Sequence, residues 1–219
     1  MTSGRTWFRR SRVLCWRCHR EYPAPSSHNG TPPGLRRDGG PRRSAAEIAA
    51  GSTIELITAI LNDEINSGFA IVRPPGHHAS ESEPSGFCYF NNVALAAMVA
   101  KQNNKKVAVV DWDVHYGNGT ASILSNIDDV SFFSIHRHDN GGFYPYNGEC
   151  SNVTNIHNYP MNKHCGDEEF ISVFIEYIIP QSSFQMAFQF GKIIIWTSPR
   201  RYEVICIMVE VDCKIENTC

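Results

Sequence analysis

The sequence carries almost no net charge. Its 20 lysines and arginines nearly balance its 22 aspartates and glutamates, which leaves a formal net charge of −2 over 219 residues. A chain so close to neutral has no overall attraction for nucleic acid or for an anionic membrane surface. We therefore predict no direct nucleic-acid partner and no membrane partner.

Long uninterrupted apolar runs are missing as well. Charged residues divide the apolar stretches well before the roughly 18 residues that a membrane-spanning helix needs. The first ten residues contain arginines but no apolar core of a secretory signal. The eight cysteines are scattered, which is typical of reduced thiols and not of a disulfide framework. We predict a protein of the nucleus, the cytoplasm or both.

What the sequence does contain is a polar cluster directly after an apolar run. Residues 107–110 are apolar and mostly β-branched, which is typical of a strand buried on both faces of a parallel sheet. Asp111, Asp113 and His115 continue the run at a period of two and would share one face if the strand continues. Asp and His are zinc ligands, and a catalytic zinc takes three protein ligands and a water. The cluster predicts a metal site at a strand's carboxyl end, where α/β sheets bind ligands.

Two adjacent histidines, His77 and His78, follow a Pro-Pro-Gly turn. Imidazole has an ordinary pKa near 6.5, so it can accept and return a proton near neutral pH. Either cluster alone has a simpler explanation, as a solvated loop or as surface histidines on a rigid turn. Together they indicate a metal-dependent hydrolase.

These motifs resemble those of the zinc-dependent histone deacetylases, and within them the class II branch. The stretches that carry the resemblance are Arg73-Pro-Pro-Gly-His-His-Ala79, Gly86-Phe-Cys-Tyr-Phe-Asn91, Val110-Asp-Trp-Asp-Val-His115 and Gly117-Asn-Gly-Thr120. The resemblance implies an α/β fold of the arginase and deacetylase type, with a parallel sheet and helices on both faces. It also implies zinc as the cofactor, an acetylated protein such as a histone tail as the substrate, and a co-repressor complex as a partner.

The resemblance further implies which residues bind metal. Asp113 and His115 correspond to two of the three zinc ligands. Asp111 and Ser134 correspond to part of a structural potassium site.

It also implies the catalytic roles. His78 corresponds to the general base that later acts as the general acid, and Asn118 to the residue that orients it. His77 corresponds to an electrostatic partner, oriented by Asp111. The walls of the tunnel that takes the acyl-lysine side chain correspond to Gly86, Phe87 and Tyr144.

The resemblance is confined to the middle of the chain. We predict a deacetylase-like core over residues 44–185, between a divergent, largely disordered segment at 1–43, rich in Arg, Pro, Gly and Ser, and a divergent segment at 186–219. The family's transition-state tyrosine, on a Gly-Gly-Tyr near the end of the domain, is not found. We interpret the chain as an incomplete catalytic domain.

The third zinc ligand is not found either. In the family it is an Asp that follows another buried strand. Residues 192–196 are apolar enough to be that strand, but no Asp occurs in residues 197–202. Asp212 is the remaining candidate, and it would require an insertion.

Two functions therefore stay open. The first is a zinc-dependent deacetylase whose last ligand comes from Asp212 or from sequence outside this chain. The second is a catalytically inactive deacetylase-like protein that acts through protein contacts. A deacetylase of polyamines or other small molecules is an alternative within the same superfamily.

The pattern of apolar residues predicts alternating helices and strands, which is typical of parallel βαβ units. A capping box at Ser44 and Glu47 predicts the start of the first helix. Further helices are predicted over 92–103, 119–125 and 167–179, and strands over 70–72, 107–110 and 130–136.

Overall fold

The computed structural model describes residues 12–15, 41–178, 192–199 and 203–209, which include one seven-stranded sheet. The strands are β1 (Arg12–Cys15), β2 (Ser67–Val72), β3 (Lys106–Asp111), β4 (Val130–Arg137), β5 (Ile156–Met161), β6 (Lys192–Pro199) and β7 (Glu203–Val209). The helices are α1 (Pro41–Leu61), α2 (Asn92–Gln102), α3 (Asn118–Leu124) and α4 (Asp167–Val173). A 3₁₀ turn (Asp139–Gly141) follows β4, and a π-helical turn (Phe174–Ile178) continues α4.

The sheet is mostly parallel. Its strand order is β1, β2, β7, β6, β3, β4, β5. Because β6, β3, β4 and β5 run in the same direction, their carboxyl ends meet at one edge. β1 and β2 are also parallel, whereas β7 is antiparallel to both of its neighbours. The predicted α/β fold with a parallel sheet is confirmed, and β7 is its exception.

Alternate residues of β3 enter two different cores. Val107 and Val109 belong to the larger core, which includes residues of α1 and α2. Ala108 and Val110 face the other way and pack with residues of β4 and with Ile178 of the π-helical turn. Since helices cover both faces, as predicted, this strand is apolar on both sides.

Helix α1 begins at Pro41, three residues before the predicted capping box at Ser44, so that predicted start is wrong. Proline suits the first turn of a helix because its φ is fixed and its missing N–H needs no partner there. Glu47 lies inside the helix, where it accepts a hydrogen bond from Arg43 Nε at 2.9 Å.

The segment Arg43–Leu61 of this helix is long and apolar enough to span a membrane by length and composition alone. Glu47 and Glu55 interrupt the apolar residues of this segment, as expected, but the segment as a whole is still apolar enough to meet this criterion. Leu56, Ile57 and Ile60 are at most 1% exposed and belong to the larger core. A buried helix of a soluble protein passes the same test, so the segment is weak evidence for a membrane span.

Three strands have no counterpart among the predicted elements. β1 lies within residues 1–43, where we expected disorder, and pairs with β2. β5 contains Pro160, which argues against a central strand, but β5 is at the edge of the sheet, where one side of the backbone needs no partner. β7 lies in the segment predicted to be divergent.

The Asn155 side chain fixes the connection from α3 to β4. Its Nδ2 donates toward the carbonyl oxygens of Leu124 at 2.8 Å, Ile127 at 3.2 Å and Val130 at 2.9 Å. Its Oδ1 accepts from the backbone N–H of Asn126 at 3.0 Å. One side chain thus holds the loop that leads into β4.

Candidate active site

The histidine pair lies in a buried turn between β2 and α2. His77 is 2% exposed and His78 is 4% exposed, so the simpler explanation as surface histidines is wrong. Asn91 caps α2 by accepting from the N–H of Ala94 at 2.9 Å, and its Nδ2 donates to the carbonyl of Ala79 at 3.0 Å. Asn91 therefore ties the histidine turn to the helix that follows.

Helix α3 holds the turn from the other side. The Thr120 N–H donates to the carbonyl of His77 at 3.1 Å. A Cβ on Gly119 would lie 2.3 Å from the carbonyl oxygen of Ala79, so this close approach requires glycine. Asn91 and Thr120 are positioning residues that the sequence motifs contained but to which we assigned no role.

His77 is paired with Asp111, the last residue of β3. Nδ1 of His77 lies 2.9 Å from Oδ2 of Asp111, and both side chains are at most 3% exposed. The other carboxylate oxygen accepts from the Asp113 N–H at 3.1 Å. Burial raises the pKa of Asp111, and the neighbouring His77 acts in the opposite direction.

His78 is paired with Asn118, the first residue of α3. Nδ1 of His78 lies 2.7 Å from the amide oxygen of Asn118. Since that oxygen can only accept, Nδ1 carries the proton and Nε2 keeps its lone pair. Burial, reinforced by His77, lowers the pKa of His78 to about 3, and the bond to Asn118 opposes this shift. In the absence of metal, His78 is therefore neutral at pH 7.

Asp113 and His115 bring two ligand atoms to one point. Oδ1 of Asp113 lies 2.9 Å from Nδ1 of His115 and also accepts from the His115 N–H at 2.8 Å. Two ligand atoms of a tetrahedral zinc, each about 2.0 to 2.1 Å from the ion, are roughly 3.3 Å apart. The two side chains therefore fit two positions of a zinc site. The Asp113 side chain is 4% exposed, and that of His115 is 38% exposed.

The third zinc ligand is expected after residues 192–196, which lie within β6. β6 runs parallel to β3 and places Thr197 opposite Asp111, with Ser198 and Pro199 beyond it. Asp212 lies outside the described residues, and the strand before it, β7, ends opposite Ile193 at the far end of β6. Among the residues that the structure describes, no group of three or more His, Cys, Asp and Glu could hold a metal ion.

Two of the three predicted tunnel residues, Gly86 and Tyr144, lie against His78. The Tyr144 ring is edge-on to His78, with centroids 5.1 Å apart, and its hydroxyl is 3.2 Å from Ser85 Oγ. A Cβ on Gly86 would lie 2.3 Å from Cδ2 of His78. Gly86 and Phe87 both have positive φ, at 51° and 68°, and Phe87 is 69% exposed. Left-handed backbone at a bulky residue is uncommon and clusters at functional sites.

Ser134 stands beside Asp111 in the sheet, as the potassium prediction requires. Its hydroxyl is 2.9 Å from Nδ1 of His136, whose Nε2 is 2.9 Å from the carbonyl oxygen of Gly148. Nε2 therefore carries the proton, and the hydroxyl donates to Nδ1 while keeping its lone pairs. Burial lowers the pKa of His136 to about 4. Potassium binding here stays a prediction.

Comparison with known proteins bears on the same stretch of chain. A family model described as the histone deacetylase domain matches residues 42–189. Histone deacetylase 5 of Arabidopsis thaliana is 44% identical over 154 residues, which are 62% of this chain and 23% of that protein. Histone deacetylase 7 of Homo sapiens is 40% identical over 149 residues, which are 63% of this chain and 16% of that protein.

A solved structure is similar too. The crystal structure of the HDA15 HD domain is 43% identical, with a TM-score of 0.60, over 64% of this chain and 43% of that chain. Histone deacetylase 15 of Arabidopsis thaliana is 43% identical over 149 residues, which are 64% of this chain and 27% of that protein. The chain therefore spans about a quarter or less of the length of these curated relatives.

Proposed function

Because the chain belongs to the histone deacetylase family, in its class II branch, we propose that it is a zinc-dependent amidohydrolase that removes acetyl groups from protein lysines. The observation that carries this proposal is the pair of buried histidines, each bonded to its own partner, beside two converging ligand atoms. The printed names of the relatives favour histones as substrates. Chromatin regulation, a location in the nucleus, the cytoplasm or both, and assembly with co-repressors belong to the same proposal.

Asp113 and His115 would hold the zinc, together with a third ligand from outside the described residues. Bound zinc would polarise the acetyl carbonyl and acidify a water, which compensates for a poor electrophile and a poor nucleophile. Asp111 and Ser134, adjacent in the sheet, would hold the structural potassium.

His78 would move the proton. Its Nε2 keeps a lone pair because Nδ1 donates to Asn118, and burial keeps the ring neutral at pH 7. It can therefore accept a proton from the attacking water and return it to the leaving lysine amine. A neutral amide partner stabilises the charged imidazolium less than a carboxylate would, which lets the proton leave again.

His77 would act through charge. Its Nδ1 faces the buried carboxylate of Asp111, which favours the protonated ring more than the amide beside His78 does. The two neighbouring rings have centroids 4.0 Å apart, so they can divide the work between a held charge and a proton carrier. Phe87 and Tyr144 would enclose the aliphatic part of the acetyl-lysine and exclude water.

A second candidate function is favoured by one observation. The residues at the carboxyl end of β6, next to Asp111, are Thr197, Ser198 and Pro199, and none of these is a usual zinc ligand. With two protein ligands the zinc would be lost easily. In this case the chain is a deacetylase-like protein without turnover that acts through protein contacts.

One experiment separates the two. The full chain is expressed, and bound zinc per folded chain is measured together with release of acetate from an acetyl-lysine peptide. About one zinc, with turnover that falls about a hundredfold or more in His78→Ala, supports the deacetylase. The matched control is His164→Ala, an exposed histidine outside the site, which should keep full activity. Absence of zinc and of turnover contradicts the first proposal and supports the second.

A further inference from the structure

Phe143, which follows the 3₁₀ turn after β4, makes contacts that the reaction chemistry does not explain. Its ring is stacked on the His115 imidazole, with centroids 5.2 Å apart and planes within 12°. The guanidinium carbon of Arg137 lies 4.3 Å from the centroid of the same ring. Phe143 therefore links a predicted zinc ligand to the last residue of β4.

Arg137 is held in place by several bonds. Its Nε donates to Oδ2 of Asp139 at 2.7 Å, and its Nη2 donates to the same oxygen. The other oxygen of Asp139 accepts from the N–H of Lys163 at 2.6 Å. The backbone N–H of Arg137 donates to the carbonyl of Val114 at 2.9 Å, within the loop that carries the zinc ligands. The cation over the ring is thus anchored by its side chain and by its backbone.

His115 needs such support more than its neighbours do. Its side chain is 38% exposed, whereas those of His77 and Asp113 are 3% and 4% exposed. The bond from Nδ1 to Asp113 fixes one edge of the imidazole, and the rings of His78 and Tyr144 meet it edge-on, with centroids 5.9 Å and 6.0 Å away. Phe143 is the ring stacked on the face of the imidazole, so this contact restricts the ring plane and, with the bond to Asp113, the direction of Nδ1.

We propose that Phe143, supported by Arg137 and Asp139, is a positioning residue that sets the ring plane of His115 and so the affinity of the site for zinc. The inference rests on the proposed function in that it takes His115 as a zinc ligand. It assigns a role to Phe143, for which the sequence motifs predicted none.

The first test measures zinc affinity by competition with a chelator. Phe143→Leu should bind zinc about three- to tenfold more weakly, because an aromatic pair contributes that much. Phe143→Tyr keeps a ring that can stack and should restore the affinity. Arg137→Gln should cause a smaller loss, and the double variant should be no weaker than Phe143→Leu alone, because Arg137 acts through the ring.

The matched control is Tyr146→Leu, which removes another aromatic ring from the same loop, one that packs on Tyr144 instead. It should leave zinc affinity unchanged. A loss in Tyr146→Leu as large as in Phe143→Leu would overturn the proposal, because any loosening of the loop would then have the same effect.

The second test needs no metal and separates this inference from the proposed function. Imidazole ¹⁵N shifts of the metal-free chain should show His115 with its proton on Nδ1, facing Asp113. Phe143→Leu should mix the two tautomers, and Phe143→Tyr should restore the single one. Unchanged His115 shifts in Phe143→Leu overturn the inference, even where zinc binds, whereas a chain that binds no zinc but shows the tautomer change contradicts only the proposed function. Should Phe143→Leu fail to fold, Arg137→Gln carries the same readout.

Discussion

The two sides of the site differ in how deeply they are buried and in how many elements of the fold hold them. The histidine side consists of His77 and His78 with their partners Asp111 and Asn118, and it is almost completely enclosed. The metal side consists of Asp113 and His115, and one of its two side chains is 38% exposed. The first is bonded from β3, α2 and α3 together, whereas the second depends on a loop and on the end of β6.

This difference shows which part of the site geometry the described motifs determine by themselves. The histidine side combines two described motifs, with His77 and Asp111 34 positions apart and His78 and Asn118 40 positions apart. Their mutual hydrogen bonds fix the geometry once β3 and α3 pack against the histidine turn. A zinc site needs a ligand from a third strand end, so its completion depends on the residues that come after β6. A chain can therefore retain an ordered pair of histidines while its metal site lacks a ligand among the described residues.

The largest expected effect is a loss of stability in a variant that disrupts the histidine side. In Gly117→Ala the new Cβ would lie 2.3 Å from Oδ2 of Asp111 and 3.4 Å from Nδ1 of His77. We expect a loss of roughly 3 kcal/mol in the free energy of unfolding, because the enclosed carboxylate cannot move away. Urea denaturation measures it. Gly51→Ala is the control, since nothing lies within 4 Å of its Cβ and alanine favours the helix, so an equal loss there would contradict this explanation.

The second-largest expected effect is a change in the pKa of His78 while the histidine side stays intact. Asn118→Asp gives His78 a carboxylate partner, which stabilises the imidazolium and should raise the pKa of His78 by about one to two units from its value of about 3. NMR titration of the ring in the metal-free chain measures the shift. Asn104→Asp, at an exposed position, should leave it unchanged, and a drop in Asn118→Asp would show that the assigned partner is wrong.

A third prediction concerns acid sensitivity. In the folded chain the pKa of His136 is about 4, below its ordinary 6.5. As the pH falls, the unfolded chain therefore takes up this proton at a higher pH than the folded chain does. The contribution of His136 to stability is complete above about pH 6.5 and is lost as the pH falls toward 4, by about 2 kcal/mol at pH 5. His78 has the same sign. We expect His136→Gln to reduce the difference between urea midpoints at about pH 7.5 and pH 5, while His164→Ala should not change it.

The smallest expected effect is a gain in zinc affinity on the metal side. Register places Pro199 two residues beyond the partner of Asp111, at the edge of the sheet where β3 ends. Pro199→Asp would add a carboxylate at this edge, where the proposed site needs a third ligand, and we expect zinc affinity to rise at least about tenfold. Lys192→Asp, at the opposite end of β6, is the control. Equal gains in both variants would point to a general charge effect and not to a ligand.

Sequence alone predicts the parts of this molecule whose causes are local. The apolar run of β3 and the helix that begins at Asn92 each reflect neighbours along the chain. Asp113 and His115, by contrast, lie beyond the end of β3 and not on a continued strand. The antiparallel pairing of β7 does not reflect neighbours along the chain, because it depends on partners far away in sequence. The sequence assigns no role to Phe143, because its contacts with His115 and Arg137 form when separate segments meet.

The position of β6 and β7 in the sheet also bears on the order in which the chain folds. Both strands lie between β2 and β3, although they come much later in the chain than either of these neighbours. During synthesis, β3, β4 and β5 can pair through short connections as soon as they emerge, and with them the histidine side. β2 and β3 keep unpaired edges until β6 and β7 emerge. The stage of synthesis with these edges exposed is therefore when the chain most needs a chaperone.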